Sequence, residues 1–164
     1  MKKKNVVDAI AMKMMSEENG VFDFSDSVIL QDISISGDIN QKGRDGRTFL
    51  LHAIAYKRYQ IAKKLLQLNA DIGIKDELGN SALHVAVMVK DKKMVKLLLE
   101  NHADVNAVNN YGNSPLLQSS HNDIDIISLL VSYGADPSLK NKSGISAYDA
   151  FSAYPEIIRS FKIS

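Results

Sequence analysis

The chain has 164 residues, 45% hydrophobic and 24% charged, which is an ordinary composition for a folded protein and argues against a disordered one. Lys and Arg number 20 against 19 Asp and Glu, so the net charge of +1 gives no global attraction to nucleic acid or acidic membranes. The absence of cysteine excludes disulfides, thiolate nucleophiles and cysteine-based zinc sites.

The N-terminal sequence is predicted to be neither a signal peptide nor a membrane anchor. The basic opening MKKK is followed by Asp8 and Lys13, which interrupt any apolar core. No stretch approaches the run of about 18 apolar residues that a membrane-spanning helix needs. We therefore expect a soluble, monomeric protein of the cytoplasm.

Residues 1–40 are predicted to form an N-terminal cap. Apolar residues over 5–15 and about 26–36 indicate a degenerate pair of helices, and residues 16–25 (SEENGVFDFS) are predicted to connect them. The end of a repeat array differs from its middle because it covers the core on one side and faces water on the other.

The central part of the chain is built from a recurring sequence unit. Gly46, Gly79 and Gly112 are equally spaced (79−46 = 33 and 112−79 = 33), and Gly144 follows one position early (144−112 = 32). A second phrase keeps the same period, in SGDIN, NADIG, HADVN and GADPS. This pattern predicts a single domain, 1–164, built as an array of structural units. The predicted repeats are 41–73, 74–106 and 107–138, with a C-terminal repeat or cap at 139–164.

Each unit is predicted to contain a turn and two helices. The glycine marks the turn, and a hydroxyl residue two positions later can cap the first helix. These capping residues are Thr48, Ser81, Ser114 and Ser146. Leu50, Leu83, Leu116 and Tyr148 are expected to point inward from the first helices. Apolar residues at three- and four-residue intervals indicate a second helix, which ends at Asn69, His102 or Gly134. Pro155 is predicted to begin a final helix with Ile157, Ile158 and Phe161 inward and Arg159 and Lys162 outward.

Together these features resemble the ankyrin repeat: the period of 33, the G-x-[ST]-x-L opening, the apolar second helix and the Ala-Asp closing. The unit that follows the family pattern most fully reads GNSALHVAV and then KKMVKLLLENHADVNA. The family's T-P-L-H core is present in part, since His84 keeps the histidine. Leu51, Leu117 and Asp149 stand at its matched positions in the other units. The shorter step from Asp104 to Asp136 (136−104 = 32) predicts a deletion near 121–125.

The resemblance implies an all-α solenoid of about four to five stacked helix pairs, including caps, with β-hairpin-like turn tips. It also implies a protein partner, bound in a concave groove formed by the turn tips and the inner faces of the first helices. Leu78 and Tyr111 support this expectation because a turn tip has no structural need of a large apolar side chain. Single exposed apolar residues are normal on any surface, so the expected binding surface depends on a whole group of residues and not on one of them. Its members are Arg44, Arg47, Tyr56, Glu77, Leu78, Asn80, Met88, Val89, Asn110, Tyr111, Asn113 and His121.

Charge is unevenly distributed along the sequence. Residues 40–64 hold seven basic residues and one acidic residue, a balance of +6, whereas residues 104–136 hold four Asp and no Lys or Arg, a balance of −4. Such a dipolar array would orient a partner of complementary polarity. The alternative is that lysines such as Lys63 and Lys64 only solvate the outer face of a helix.

No catalytic, metal or cofactor site is predicted, and no small-molecule substrate. His84 belongs to the repeat's own opening phrase, His102 stands at a helix end, and His52 and His121 lack the H-E-x-x-H spacing of a zinc site. No G-x-S phrase continues to the second glycine of a nucleophile elbow. Nucleic-acid binding is disfavoured because no recognition helix or aromatic platform accompanies the basic residues.

The expected role is stoichiometric binding of another protein, as an inhibitor, an immunity-type protein, a regulator or an adaptor. The alternatives are an effector that acts on a partner in a foreign host cell and, less favoured, a nucleic-acid-associated regulator that uses the basic N-terminal units.

Overall fold

The computed structural model describes residues 5–15 and 26–161, and within those ranges the secondary structure is helical. The helices are α1 (Val6–Met14), α2 (Asp26–Ser36), α3 (Phe49–Ala55), α4 (Tyr59–Gln67), α5 (Ala82–Met88), α6 (Lys92–Glu100), α7 (Pro115–Gln118), α8 (Ile124–Ser132), α9 (Ala147–Ala150) and α10 (Pro155–Ser160). These helices fit the predicted all-α repeat fold. The expected loop at 16–25 and the expected orientation of Lys162 lie outside the described residues.

The chain forms two compact units, residues 1–77 and 78–164, and each is described by itself. The first contains α1 to α4, and the second contains α5 to α10. The number of repeat units and the single domain expected from the sequence stay predictions.

In the first unit, α3 packs against α1 and α4, and α2 packs against α1 and α4. The predicted N-terminal helix pair is confirmed as α1 and α2. Apolar side chains from all four helices meet in the core. Those with no exposed surface include Val7, Ile29, Phe49, Ile54, Ile61 and Leu65.

In the second unit, α5 packs against α6 and α7, and α8 packs against α6, α7 and α10. Helix α9 contacts α7. Fully buried side chains in this unit include Leu83, Met94, Leu98, Leu116, Ile127 and Ile157. The final helix begins at Pro155 as predicted, with Ile157 and Phe161 buried and Arg159 exposed.

The predicted helix caps are confirmed. Thr48, Ser81, Ser114 and Ser146 have extended backbones, and each side chain accepts a hydrogen bond from the N–H group three residues later. Replacing such a residue by alanine costs about 1 kcal/mol, because a helix start otherwise leaves its first N–H groups without partners. The caps therefore fix where each first helix begins and hence where the preceding turn lies.

The predicted ends of the second helices are also confirmed. Asn69, His102 and Gly134 have left-handed backbones, with φ of 59°, 62° and 85°. Two further left-handed residues were not predicted, Lys57 and Lys90, both with φ of 54°. They lie in the three-residue connections between paired helices, where a lysine side chain gives no signal of the backbone conformation.

The first helix of the third repeat is shorter than its counterpart in the second. Helix α7 has four residues where α5 has seven. Residues 115–123 span the helix and its connection in nine positions, whereas 82–91 use ten. The missing residue therefore falls at the end of α7 and in the loop that follows, beginning slightly before the position predicted.

Tyr148 differs from the expectation that it points inward. Its side chain is 38% exposed, and its ring packs edge-on against Phe161 with centroids 5.3 Å apart.

No helix in the described part of the chain is long and apolar enough to cross a membrane.

Candidate protein-binding surface

Successive turns in each unit are joined by backbone hydrogen bonds. In the second unit the N–H of Asn110 donates to the carbonyl of Leu78 at 3.0 Å, and the N–H of Lys142 donates to the carbonyl of Tyr111 at 3.0 Å. In the first unit the N–H of Glu77 donates to the carbonyl of Asp45 at 3.3 Å. The described residues contain no β-strand, and the pairing at the first turn is an isolated bridge between Lys42 and Thr48.

Two turn positions require glycine, because the backbone is left-handed there and a Cβ atom would collide with the next turn. Gly79 has φ of 76°, and a Cβ there would lie 2.7 Å from the backbone nitrogen of Asn110. Gly112 has φ of 78°, and a Cβ there would lie 2.8 Å from the backbone nitrogen of Lys142. The close approach of one turn to the next therefore depends on both glycines.

Asparagine amides join the turns of the second unit beneath the tips. The Nδ2 of Asn109 donates to the Oδ1 of Asn80 at 3.1 Å, and the Nδ2 of Asn141 donates to the Oδ1 of Asn113 at 2.8 Å. The Oδ1 of Asn109 also accepts from the N–H groups of Tyr111 and Asn113. These amides hold the turns in place. The donors Asn109 and Asn141 could have been found in the sequence, because each precedes a turn glycine by three positions, as Asp76 does.

Two of the residues expected to contact a partner belong to this amide network. Asn80 is only 4% exposed, and Asn113 is partly buried with its Oδ1 occupied by Asn141. Their side chains face the interior of the turns because each amide bonds to the neighbouring turn. Asn80 is therefore largely inaccessible to a partner, and the assignment of both residues as partner contacts stays a prediction.

His84 connects two repeats within the second unit. Its Nε2 donates to the carbonyl of Asn113 at 2.8 Å, and its Nδ1 accepts from the N–H of Ser81 at 3.2 Å. A carbonyl can only accept, so Nε2 carries the proton and Nδ1 is free to accept. The side chain is fully buried, which confirms the prediction of a structural histidine.

Large apolar side chains are exposed at the tips of the second unit. Leu78 is 52% exposed and Tyr111 is 60% exposed, and Asn110 between them is also exposed. We call Leu78, Asn110 and Tyr111 the tip surface. Hydrogen bonds hold its backbone, while the side chains of Leu78 and Tyr111 remain accessible to another molecule.

Met88 and Val89 lie apart from the tip surface. Met88 is the last residue of α5 and is 51% exposed, and Val89 follows it with intermediate exposure. A helix of seven residues is about 10 Å long, so they stand roughly that far from the beginning of α5. They form a second exposed patch of the same unit.

His121 packs onto the C-terminal part of the second unit. Its ring stacks on Tyr154 with centroids 4.4 Å apart and an interplanar angle of 12°. Because α7 ends early, His121 belongs to the loop before α8 and not to a first helix. It is exposed, but one face of its ring is covered by Tyr154.

The predicted arginines of the first unit make ion pairs with nearby aspartates. The Nε of Arg44 lies 3.1 Å from the Oδ2 of Asp8 in α1. The Nε of Arg47 lies 3.6 Å from Asp45 and 3.8 Å from Asp76, whose side chain is almost completely buried. Arg44 is largely exposed at 73%, whereas Arg47 at 29% is partly covered, so Arg44 is the more accessible to a partner.

His52 lies beside Tyr56 in the first unit. It is 5% exposed, and Nε2 lies 3.6 Å from Asp45. Among the described residues, neither ring nitrogen has a hydrogen-bond partner. Burial lowers the pKa of His52 and Arg47 also lowers it, whereas Asp45 and Asp8 oppose that shift. The Tyr56 ring lies nearly parallel to it, with centroids 6.1 Å apart, and burial raises the pKa of Tyr56.

The charge balance read from sequence windows is reduced by ion pairs. Arg44, Arg47 and Arg58 pair with Asp8, Asp76 and Asp26, which all lie outside residues 40–64. In the second unit, Lys90 lies 3.2 Å from Asp123, and Lys92 lies 3.1 Å from Asp125. These ion pairs offset part of the positive charge of residues 40–64 and part of the negative charge of residues 104–136. The charge imbalance expected from the two windows is therefore corrected to a weaker one.

The described residues contain no group of three or more His, Asp or Glu side chains placed to hold a metal ion.

Helix pairs joined by hydrogen-bonded turns define a helical repeat protein. A family model described as Ankyrin repeats (3 copies) matches residues 50–141, more than half of the sequence, and the chain belongs to the ankyrin repeat family. A search of curated proteins found no match. Ankyrin repeats generally mediate protein–protein interactions, and the family is typically non-catalytic.

Proposed function

We propose that this chain is a non-catalytic interaction module that binds another protein through the tip surface of its second unit. The observation that carries the proposal is the exposure of Leu78 and Tyr111, at 52% and 60%, on turns whose backbones are bonded to their neighbours. Family membership supports a protein as the partner.

The rigidity of the turns favours binding at these two side chains. Association loses less free energy to ordering when the backbone is already fixed. Tyrosine is enriched among the residues that dominate interfaces, because its large ring loses little conformational entropy on burial. Leu78 and Tyr111 can therefore act as anchors without rearrangement of the turns.

Other accessible residues are proposed as additional contacts within their own units. In the second unit these are Met88 and Val89 at the end of α5. In the first unit they are Arg44, Glu77 and Tyr56, with Arg47 less accessible because it is held between two aspartates. His121 contributes only the face of its ring that Tyr154 leaves open.

A binding module of this kind acts by occupying or masking the surface of its partner. We propose the role of an inhibitor, an immunity-type protein, a regulator or an adaptor in the cytoplasm. These roles share one requirement, which is stoichiometric binding that depends on the tip surface.

The test uses a displayed library of protein fragments selected on the full chain. The enriched fragments are then measured against the double variant Leu78→Ser with Tyr111→Ser. We expect affinity to fall at least about tenfold, because truncation of a central anchor removes about 1 kcal/mol or more.

The matched control is Met12→Ser with Ile35→Ser, which removes two apolar side chains of the first unit that are 64% and 76% exposed. It should leave affinity unchanged. Fragments that bind the tip variant as tightly as the unaltered chain, or that are lost only in the control, would show that the tip surface is not the binding site.

A further inference from the structure

We propose that the partner segment recognised by the tip surface is acidic, with an apolar side chain that contacts Tyr111 and carboxylates that contact the turn at Lys140 and Lys142. This inference rests on the proposed function and names the chemistry of the partner. It follows from the distribution of charge around the tip surface.

The two turns that hold Tyr111 and Lys142 carry positive charge and no carboxylate in their own sequence, whereas the exposed Glu77 directly precedes Leu78. Residues 105–122, which include Tyr111, contain no Asp, Glu, Lys or Arg. Residues 137–148, which form the next turn and its cap, contain Lys140 and Lys142 and no acidic residue. A partner in contact with both turns therefore meets an uncharged region that presents Tyr111, followed by a basic one.

The hydrogen-bond pattern places the backbone of Lys142 directly beside that of Tyr111. The N–H of Lys142 donates to the carbonyl of Tyr111, so the two residues are neighbours across successive turns. Both Lys140 and Lys142 are exposed. In the part of the chain that the structure describes, neither of them forms an ion pair.

The acidic residues on either side of this turn are held by hydrogen bonds to their own segments. Asp136 accepts from the N–H and hydroxyl of Ser138, and Asp149 accepts from those of Ser146. These bonds to Ser146 lower the pKa of Asp149, and Lys140 contributes a smaller effect in the same direction. Asp149 therefore offsets part of the charge of Lys140, whereas Lys142 is the lysine whose backbone bonds to Tyr111.

The arrangement also gives the partner a direction. Leu78, Tyr111 and Lys142 follow one another from turn to turn, with the apolar side chains first and the charge last. Complementary charge speeds association and selects among partners even where a surface ion pair adds little affinity. The basic side of the tip surface thus distinguishes acidic apolar segments from neutral ones.

The experiment sequences fragments enriched on the full chain and measures their binding to Lys140→Glu with Lys142→Glu. We expect an excess of Asp and Glu next to an apolar residue, and a loss of affinity of roughly tenfold on charge reversal. Affinity for the unaltered chain should also fall as salt is raised, because exposed charges are screened.

The matched control is Lys93→Glu with Lys96→Glu, which reverses two exposed lysines on α6 of the same unit. It changes the net charge equally but should leave affinity within about twofold, since its charges lie on another helix face. If fragments show no acidic excess, or lose affinity equally in both charge variants, the acidic partner is wrong.

The outcomes separate this inference from the function on which it depends. Loss of binding in the Leu78 and Tyr111 variant, together with full binding in the Lys140 and Lys142 variant, keeps the tip surface and rejects the acidic partner. Full binding in both variants, or no enriched fragment at all, rejects both proposals. Binding of a labelled single-stranded oligonucleotide that depends on Lys140 and Lys142 would instead assign the basic turn to nucleic acid.

Discussion

Among single residues, His52 has an unusual environment within the first unit. Val85 occupies the matched position of the next repeat (85−52 = 33) and is buried, as His52 is. A valine side chain needs no hydrogen bonds, whereas both ring nitrogens of His52 lack hydrogen-bond partners within residues 5–15 and 26–161. The groups that face the ring are Asp45, Arg47, Asp8 and the Tyr56 ring, and the net effect lowers the pKa of His52.

This environment predicts a pH-dependent loss of stability that His52→Val should reduce. Folding lowers the pKa of His52 below its unfolded value of 6.5, so the unfolded state binds more protons as the pH falls through that value. The contribution of His52 to the free energy of unfolding is therefore fully present above the unfolded pKa and is lost as the pH falls below that value. Urea unfolding at several pH values between about 8 and about 5 should show that the variant loses less stability than the unaltered chain.

Any change in packing caused by the substitution is the same at every pH, so the comparison isolates titration. His121→Gln is the control, since it removes an exposed histidine. Parallel stability curves for His52→Val and the unaltered chain would contradict this account of His52.

At the same scale, the sequence predicted local backbone chemistry better than side-chain environment. The caps and the left-handed Asn69 and Gly134 follow from preferences of the residues themselves. The burial of Asn80 could not be read in this way because it depends on Asn109, an amide from the next turn. Lys57 and Lys90 carry no local signal for their left-handed backbones.

At the scale of elements, the turns are held by contacts between one turn and the next. Gly79 and Gly144 test this directly because their backbones are alike, with φ of 76° and 77°. A Cβ at Gly79 would meet the backbone of Asn110, whereas a Cβ at Gly144 meets nothing within 4 Å. The two positions therefore separate conformational strain from the close approach of turns.

Gly144→Ala should cost about 1 kcal/mol, the penalty for a left-handed alanine. Gly79→Ala should cost roughly 2 kcal/mol or more, because it also disturbs the hydrogen bond between Asn110 and Leu78. Denaturant midpoints and slopes for both variants measure the difference. Equal losses would mean that the turns are not closely packed at Gly79.

For the whole molecule, repeat spacing predicted the family but overstated the polarity of its charge. The regular period and the two recurring phrases identified the ankyrin repeat, which the family match confirms. Windows along the sequence could not show that Asp8, Asp26 and Asp76 neutralise arginines distant in sequence. The exposure of Leu78 and Tyr111 was predictable because a turn tip cannot bury a large side chain against its own backbone.

The central claim, that the second unit binds a protein through its tip surface, is tested most directly by amide chemical-shift mapping. The isotope-labelled full chain is titrated with the tightest fragment from the selection. The largest shifts are predicted at Leu78, Asn110, Tyr111 and Lys142. Shifts concentrated instead on the exposed faces of α6 and α8, at Lys93, Lys96 and Ser128, would contradict the claim.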